Sequence, residues 1–246
     1  MARFFLPKKD IQDGHATIFG EELGHLRRVL RLGPGDRVTI FDDAGWEHEA
    51  IIRSIAAEQG SLEIQRSYQP QRESPLHLTL ALGVTKGDKM DFVVEKATEL
   101  GVKAVAPFFS AYTVPKFDPK KIAKRVERWQ KIALSATKQC GRTRVPEVTT
   151  LCEFRELMSR TWADALKLLC WEGEREQTLS QVRMAASDIR SLLLAVGPEG
   201  GFSGEEVKLA REHGFYSIRL GPRILRSETA AVTAISLIQH LWGDLG

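Results

Sequence analysis

The residues best suited to chemistry in this chain sit in two glycine-bearing stretches. Gly197-Pro198-Glu199-Gly200-Gly201 follows the apolar run 191–196, and Gly221-Pro222-Arg223-Ile224-Leu225-Arg226-Ser227-Glu228-Thr229 follows a strand-like run over 216–220. A shorter stretch, Glu172-Gly173, follows 165–171. Glycine lets a backbone approach a ligand closely and adopt positive φ. One such stretch alone reads more readily as a tight turn; two after neighbouring hydrophobic runs favour a ligand site. Common nucleotide motifs are excluded, because neither GxxxxGKS/T nor GxGxxG occurs and Lys86-Gly87-Asp88-Lys89 lacks the upstream glycine. A Gly-x-Ser-x-Gly nucleophile elbow is also missing from the sequence. The six histidines have no metal-ligand spacing, so no metal site is expected. Ser227, Thr229, Ala230 and Ala231 suit close helix packing, but Arg226 and Glu228 are charges at a helix start beside a glycine loop, where packing alone seldom explains them.

A second constellation is electrostatic. The formal net charge is only +3, yet residues 112–146 carry ten basic side chains against two acidic ones. Ile122, Val126, Trp129, Ala133, Ala136 and Cys140 fall on one apolar stripe of a helical pattern. Lys124, Arg128, Lys131, Lys138 and Arg142 fall about 200° away at roughly 100° per residue. Only Glu127 interleaves with this basic row. A solvated face is the plain reading, and a phosphate-backbone partner is the functional one that the missing acids favour.

These residues need elements to hold them. In the first 70 residues, strands are expected over 36–43, 46–55 and 61–67, with one helix between 21 and 32 carrying Arg27, Arg28 and Arg31. That pattern suggests a small barrel. Residues 68–75 hold two prolines and read as a linker, dividing the chain into domains 1–72 and 73–246. Beyond it, strands over 76–84, 104–109, 165–171, 191–196 and 216–220 alternate with helices over 88–100, 120–140, 152–161, 179–186, 203–213 and 228–242. Ser203 and Glu206 form a capping-box pattern. The alternation predicts an α/β domain with a parallel sheet, which binds ligands beyond the carboxyl ends of its strands.

Composition bounds the rest. With 246 residues, 43 % hydrophobic and 27 % charged, the chain reads as globular rather than disordered. No apolar run approaches the roughly 18 residues of a membrane span. The amino terminus is charged too soon for a secretory signal. Three unpaired cysteines, Cys140, Cys152 and Cys170, point to a reducing, cytoplasmic compartment.

The segments 194–203 (LAVGPEGGFS) and 220–230 (LGPRILRSETA) together resemble the ribosomal RNA small subunit methyltransferase E family of the SPOUT superfamily. Lys86–Asp91, 96–102 (KATELGV), 139–146 (QCGRTRVP) and 25–31 (HLRRVLR) carry the resemblance along nearly the whole chain. It implies an N-terminal PUA-like RNA-binding β-barrel and a C-terminal SPOUT domain with a deep trefoil knot, which no pattern argument predicts. It further implies S-adenosyl-L-methionine as cofactor, a homodimer, and methylation of N3 of uridine 1498 (usual 16S rRNA numbering) in the small ribosomal subunit, with the assembled 30S particle preferred over free RNA as substrate and the sequence leaving the two open. On that resemblance Leu194, Gly197, Pro198, Glu199, Gly200, Gly201, Leu220, Gly221, Ile224, Leu225, Arg226 and Thr229 would hold the cofactor, with Ile224 and Leu225 covering the adenine faces. The uridine N3 proton would pass to Glu199 or Glu228, or Arg226 would stabilise the developing uracil anion; the sequence leaves these open, with Arg226 preferred. Arg28, Arg31, Lys124, Arg128, Lys131, Lys138, Gln139 and Arg142 would contact RNA. Another SPOUT target (a ribose 2′-hydroxyl or a different base) and a non-catalytic RNA-binding assembly factor are the competing expectations.

Overall fold

Alternating apolar and polar residues fold the amino-terminal stretch into a sheet. In the computed structural model, which describes residues 1–113, 118–162 and 164–246, its strands are β1 (Arg3–Phe5), β2 (Ile11–Gln12), β3 (His15–Phe19), β4 (Arg37–Phe41), β5 (Glu47–Ile55) and β6 (Gln59–Tyr68). Their order is β1-β4-β5-β6-β3-β2, antiparallel except for β1 on β4. Phe4, Ile18, Val38, Ile40, Ile52 and Leu62 fill its core. Three of these strands, β1 to β3, were not expected; β1 and β2, at three and two residues, are too short to display a period of two, whereas β3, at five, alternates in burial along its length. The helix expected over 21–32 is α1 (Gly20–Gly24) followed by a π-helical turn over His25–Val29. The chain then turns at Arg31, whose φ is 54°.

This unit is not continuous in sequence: contacts group Met1–Glu73 with Thr137–Val145. Glu73 explains the grouping. Its carboxylate accepts from Arg142 Nη2 at 2.7 Å and from the backbone N–H groups of Thr143 and Arg144, both at 3.1 Å. Asp43 accepts from Val145 N–H at 2.6 Å, and Arg72 donates to the Gly141 carbonyl at 3.0 Å. The stretch 68–75 is therefore not a free tether, since Glu73 is an anchor and Ser74 is buried. Contacts thus differ from a division at 72/73 in grouping 137–145 with the first unit.

Ser74–Ala136 and Pro146–Gly246 form the second unit. Its elements are β7 (His77–Gly83), α2 (Lys89–Glu99), β8 (Ala104–Phe109), α3 (Pro119–Cys140), β9 (Glu147–Val148), β10 (Cys152–Glu153), α4 (Phe154–Ser159), β11 (Leu166–Cys170), α5 (Leu179–Ala185), β12 (Ser191–Val196), α6 (Gly204–Glu212), β13 (Phe215–Ile218) and α7 (Ser227–Trp242). All strand pairs are parallel, in the order β10-β8-β7-β12-β11-β13, with β9 also on β8. The apolar run 192–196 of β12, and β7 with Thr79 alone breaking 78–82, suit strands covered on both faces. The expected helix over 152–161 opens as β10, and the last strand lies at Phe215–Ile218, which releases Leu220 into a loop. The Ser203–Glu206 capping box is made: Ser203 Oγ accepts from Glu206 N–H at 3.2 Å and Glu206 accepts from Ser203 N–H at 2.9 Å.

Register positions the site. Cys170 lies opposite both Val196 and Ile218, so β12, β11 and β13 end in one row. The loops 197–201, 171–175 and 219–226 therefore leave the sheet side by side. No helix among the described residues is long and apolar enough to cross a membrane.

Candidate active site

The three loops enclose a cavity of about 800 Å³. Residues 197–201, Leu220, Gly221, Ile224, Leu225 and Arg226 line it, as expected of ligand loops. Leu194 does not: it is fully buried in mid-β12, opposite Leu80 and Leu168, and serves the core. Thr229 is exposed on α7, and Ala230, one residue on, lines the cavity instead. Sequence reasoning missed Lys89, Trp171, Glu174, Arg175, Arg219 and Arg223 as lining residues. The signal for Trp171 and its neighbours was the Glu172-Gly173 turn at a strand's carboxyl end.

Close packing fixes the loops. Gly201 has φ +70°, and a Cβ there would overlap the Glu172 carboxylate. At Gly83 a Cβ would stand 2.5 Å from Pro198 Cδ, so the end of β7 touches the 197–201 loop directly. Ser227 Oγ donates to the Gly197 carbonyl at 2.6 Å, joining the start of α7 to the same loop. Glu174 organises the third loop: its carboxylate accepts from Ser217 Oγ and from the backbone N–H groups of Arg175, Glu176 and Gln177, and pairs with Arg211 at 3.2 Å. The Ser217 hydroxyl above all, with those amides, outweighs burial and holds the Glu174 carboxyl at about 2. By contrast, among the described residues no backbone N–H of 220–226 has a hydrogen-bond partner. These amides are free to read the polar edge of a planar ligand.

Charge within the site is unevenly satisfied. Lys89 Nζ donates to Glu199 Oε1 at 2.9 Å and lies 3.9 Å from Glu228 Oε2, while Lys86 N–H donates to Glu199 at 3.1 Å. Burial opposes ionisation of Glu199, but Lys89 and the backbone amides overcome it and keep its carboxyl below the usual range. Glu228 Oε2 is buried with no hydrogen-bond partner among the described residues. Burial pushes the Cys170 thiol up to about 12, which leaves it un-ionised beside the cavity.

The basic row is only partly a free surface. Lys124, Arg128 and Lys131 are exposed on α3 along a shallow groove, although Arg128 pairs with Asp91 and Lys131 with Glu127. Gln139, Arg28 and Arg31 are exposed, and Lys138 pairs with Glu22. Arg142 does not belong to the row. Its side chain is 4 % exposed and pairs with Glu73. The physical reason is that α3 ends at Cys140 and Gly141 turns the chain with φ +84°, so the helical count no longer applies at 142.

A parallel sheet with a ligand cavity at one row of strand ends, preceded by a small β unit, is matched by two family descriptions. An RNA methyltransferase domain matches residues 72–239, and an RNA methyltransferase PUA domain matches residues 20–65. The ribosomal RNA small subunit methyltransferase E of Bacillus subtilis is 35 % identical over 98 % of this chain and 96 % of that protein. Among solved structures, that of a Legionella pneumophila methyltransferase with bound SAM has a TM-score of 0.91, with 34 % identity over 99 % of this chain and 98 % of that one. The ribosomal RNA small subunit methyltransferase E of Neisseria gonorrhoeae, bound to S-adenosyl methionine, has a TM-score of 0.89 and 35 % identity over 100 % of both chains. The chain belongs to the ribosomal RNA small subunit methyltransferase E family.

Proposed function

We propose that this chain is an S-adenosylmethionine-dependent methyltransferase acting on N3 of uridine 1498 of small-subunit ribosomal RNA, as a cytoplasmic homodimer with a trefoil knot at the cofactor site and the assembled 30S particle as substrate. The observation that carries this reading is the convergence of residues 197–201 and 220–226 on one cavity, with the backbone amides of the second loop unpartnered. Two close structural relatives bind the same cofactor.

S-adenosylmethionine supplies an electrophilic methyl group on a sulfonium. The chain's own contribution is positioning: the amides of 220–226 hold the cofactor's polar edge, and Leu225 and the largely exposed Ile224 at the rim cover its faces. The uridine N3 proton must leave before or during attack. Glu199 is held ionised by Lys89, which makes it a weak proton acceptor. Glu228 retains an oxygen without a hydrogen-bond partner and is the available carboxylate. The Arg226 guanidinium on the cavity wall stabilises the developing uracil anion. Lys124, Arg128, Lys131, Lys138, Gln139, Arg28 and Arg31 contribute RNA contacts.

Unmodified small ribosomal subunits incubated with the protein and labelled S-adenosylmethionine, then analysed by nucleoside mass spectrometry, test the reading. Labelled 3-methyluridine is expected. A different labelled nucleoside replaces the target, and absence of cofactor binding overturns the enzyme reading in favour of an assembly factor.

A further inference from the structure

Four arginines line the cavity: Arg175, Arg219, Arg223 and Arg226. All four are exposed, and among the described residues none of their guanidiniums makes a hydrogen bond, ion pair or ring contact. Two of the three acids that line the cavity with them are already engaged. Glu174 is taken by Ser217, three amides and Arg211, and Glu199 by Lys89 and the Lys86 amide. Glu172 is the remaining carboxylate on the wall, so positive charge at this rim is in excess of the acids that could offset it. The arrangement is also built: Arg219 N–H donates to the Gln177 carbonyl at 3.0 Å and Arg219 bridges to Thr178, so the loop bearing Arg175 is stitched to the strand end bearing Arg219.

We infer that Arg175, Arg219 and Arg223 form a phosphate clamp for the RNA strand on either side of the nucleotide that enters the cavity. The inference rests on the proposed RNA methylation and is distinct from the basic face of α3. A base must leave its stack to reach a methyl donor held inside a cavity. The phosphates flanking it then cross the rim, where planar guanidiniums match their oxygens bidentately. A cofactor carboxylate is a single anion and accounts for at most one of the three.

The test measures binding of a single-stranded ribosomal RNA fragment across a salt series, with cofactor affinity measured separately by calorimetry. Arg175→Gln, Arg219→Gln and Arg223→Gln are each expected to lower the slope of log affinity against log salt by about 0.7, with cofactor affinity unchanged. Lys208→Gln, on an exposed part of α6, is the control and keeps the wild-type slope. Unchanged slopes in the three variants, or a fall equal to that of the control, overturn the clamp. An unchanged slope with weakened cofactor binding reassigns that arginine to the cofactor carboxylate and likewise overturns it. Failure of the wild-type protein to bind cofactor at all would instead sink the methyltransferase reading.

Discussion

The ammonium of Lys89 donates to Glu199 at 2.9 Å while standing 3.9 Å from Glu228, so one cation on α2 serves a carboxylate from the loop after β12 and another from the start of α7. Lys89→Met should lower kcat/KM by roughly ten- to a hundredfold, the scale of a displacement of about 1 Å in a positioned site. It also removes the charge that depresses the Glu199 carboxyl. That group then titrates higher, and the acidic limb of the rate profile moves to higher pH if Glu199 takes the N3 proton and stays in place if Glu228 does. Lys89→Arg should restore most of the rate and the original profile. A pH–rate comparison of the three proteins decides whether Lys89 acts through Glu199.

Arg226 lines the cavity and caps α7 without a side-chain hydrogen bond to the helix. Arg226→Ala should therefore cost turnover rather than folding, by about 10²–10³ in kcat if it stabilises an anion, with cofactor affinity changed little. Equal losses of both, measured by single-turnover kinetics and calorimetry, would make it a binding residue.

Gly201 takes φ +70° against the Glu172 carboxylate, whereas Gly204 has nothing within 4 Å of where its Cβ would sit. Gly201→Ala should destabilise by about 1–2 kcal/mol from the left-handed backbone, with the Glu172 carboxylate swinging away from the new methyl, and should weaken cofactor binding to the extent that the strained 197–201 backbone relaxes. Gly204→Ala should leave both within error. Thermal melts with and without cofactor compare them.

Arg142 and Lys124 look alike in sequence and should behave oppositely. Arg142→Met leaves Glu73 without its buried partner, a change that typically costs about 3–5 kcal/mol, so Tm should fall. Lys124→Gln, on an exposed face, should leave Tm unchanged and lower the salt slope of RNA binding by about 0.7–0.9.

Glu174 gives an acid-side signature. Its folded carboxyl sits at about 2, below the usual carboxylate range. The stabilisation is thus complete above that range and fades as pH falls towards about 2. Glu174→Gln should lower Tm near neutrality, and the gap to wild type should narrow on acidification. A constant gap would deny the carboxylate this role.

The sheet of the second unit was legible because β8 and 192–196 of β12 are unbroken apolar runs and β7 is interrupted only by Thr79 after its first residue, and the ligand loops because glycine and proline punctuate their ends. Lateral relationships were not. That Val196, Cys170 and Ile218 share one row follows from strand register, which no single segment encodes, and with it went Glu174 and the rim arginines. β1 and β2 escaped because two or three residues carry no period, while the alternation of β3 was there to be read. Arg142 was misplaced because a helical count was continued past Gly141, where the helix had already stopped. Leu194 was misplaced because the resemblance marks a motif without saying which of its side chains turn inward.

The return of Thr137–Val145 to the amino-terminal unit has a consequence for synthesis. Until residue 145 has been made, Glu73, Asp43 and Glu22 lack the partners that the finished fold gives them. At about 5–20 residues per second, translation from residue 73 to residue 145 takes roughly 4–15 s. The β unit cannot close as a finished body during that interval. Its last contacts wait on α3, which makes the two halves of the chain partners in time, and a clean excision at residue 73 a truncation of the first half as well as a removal of the second.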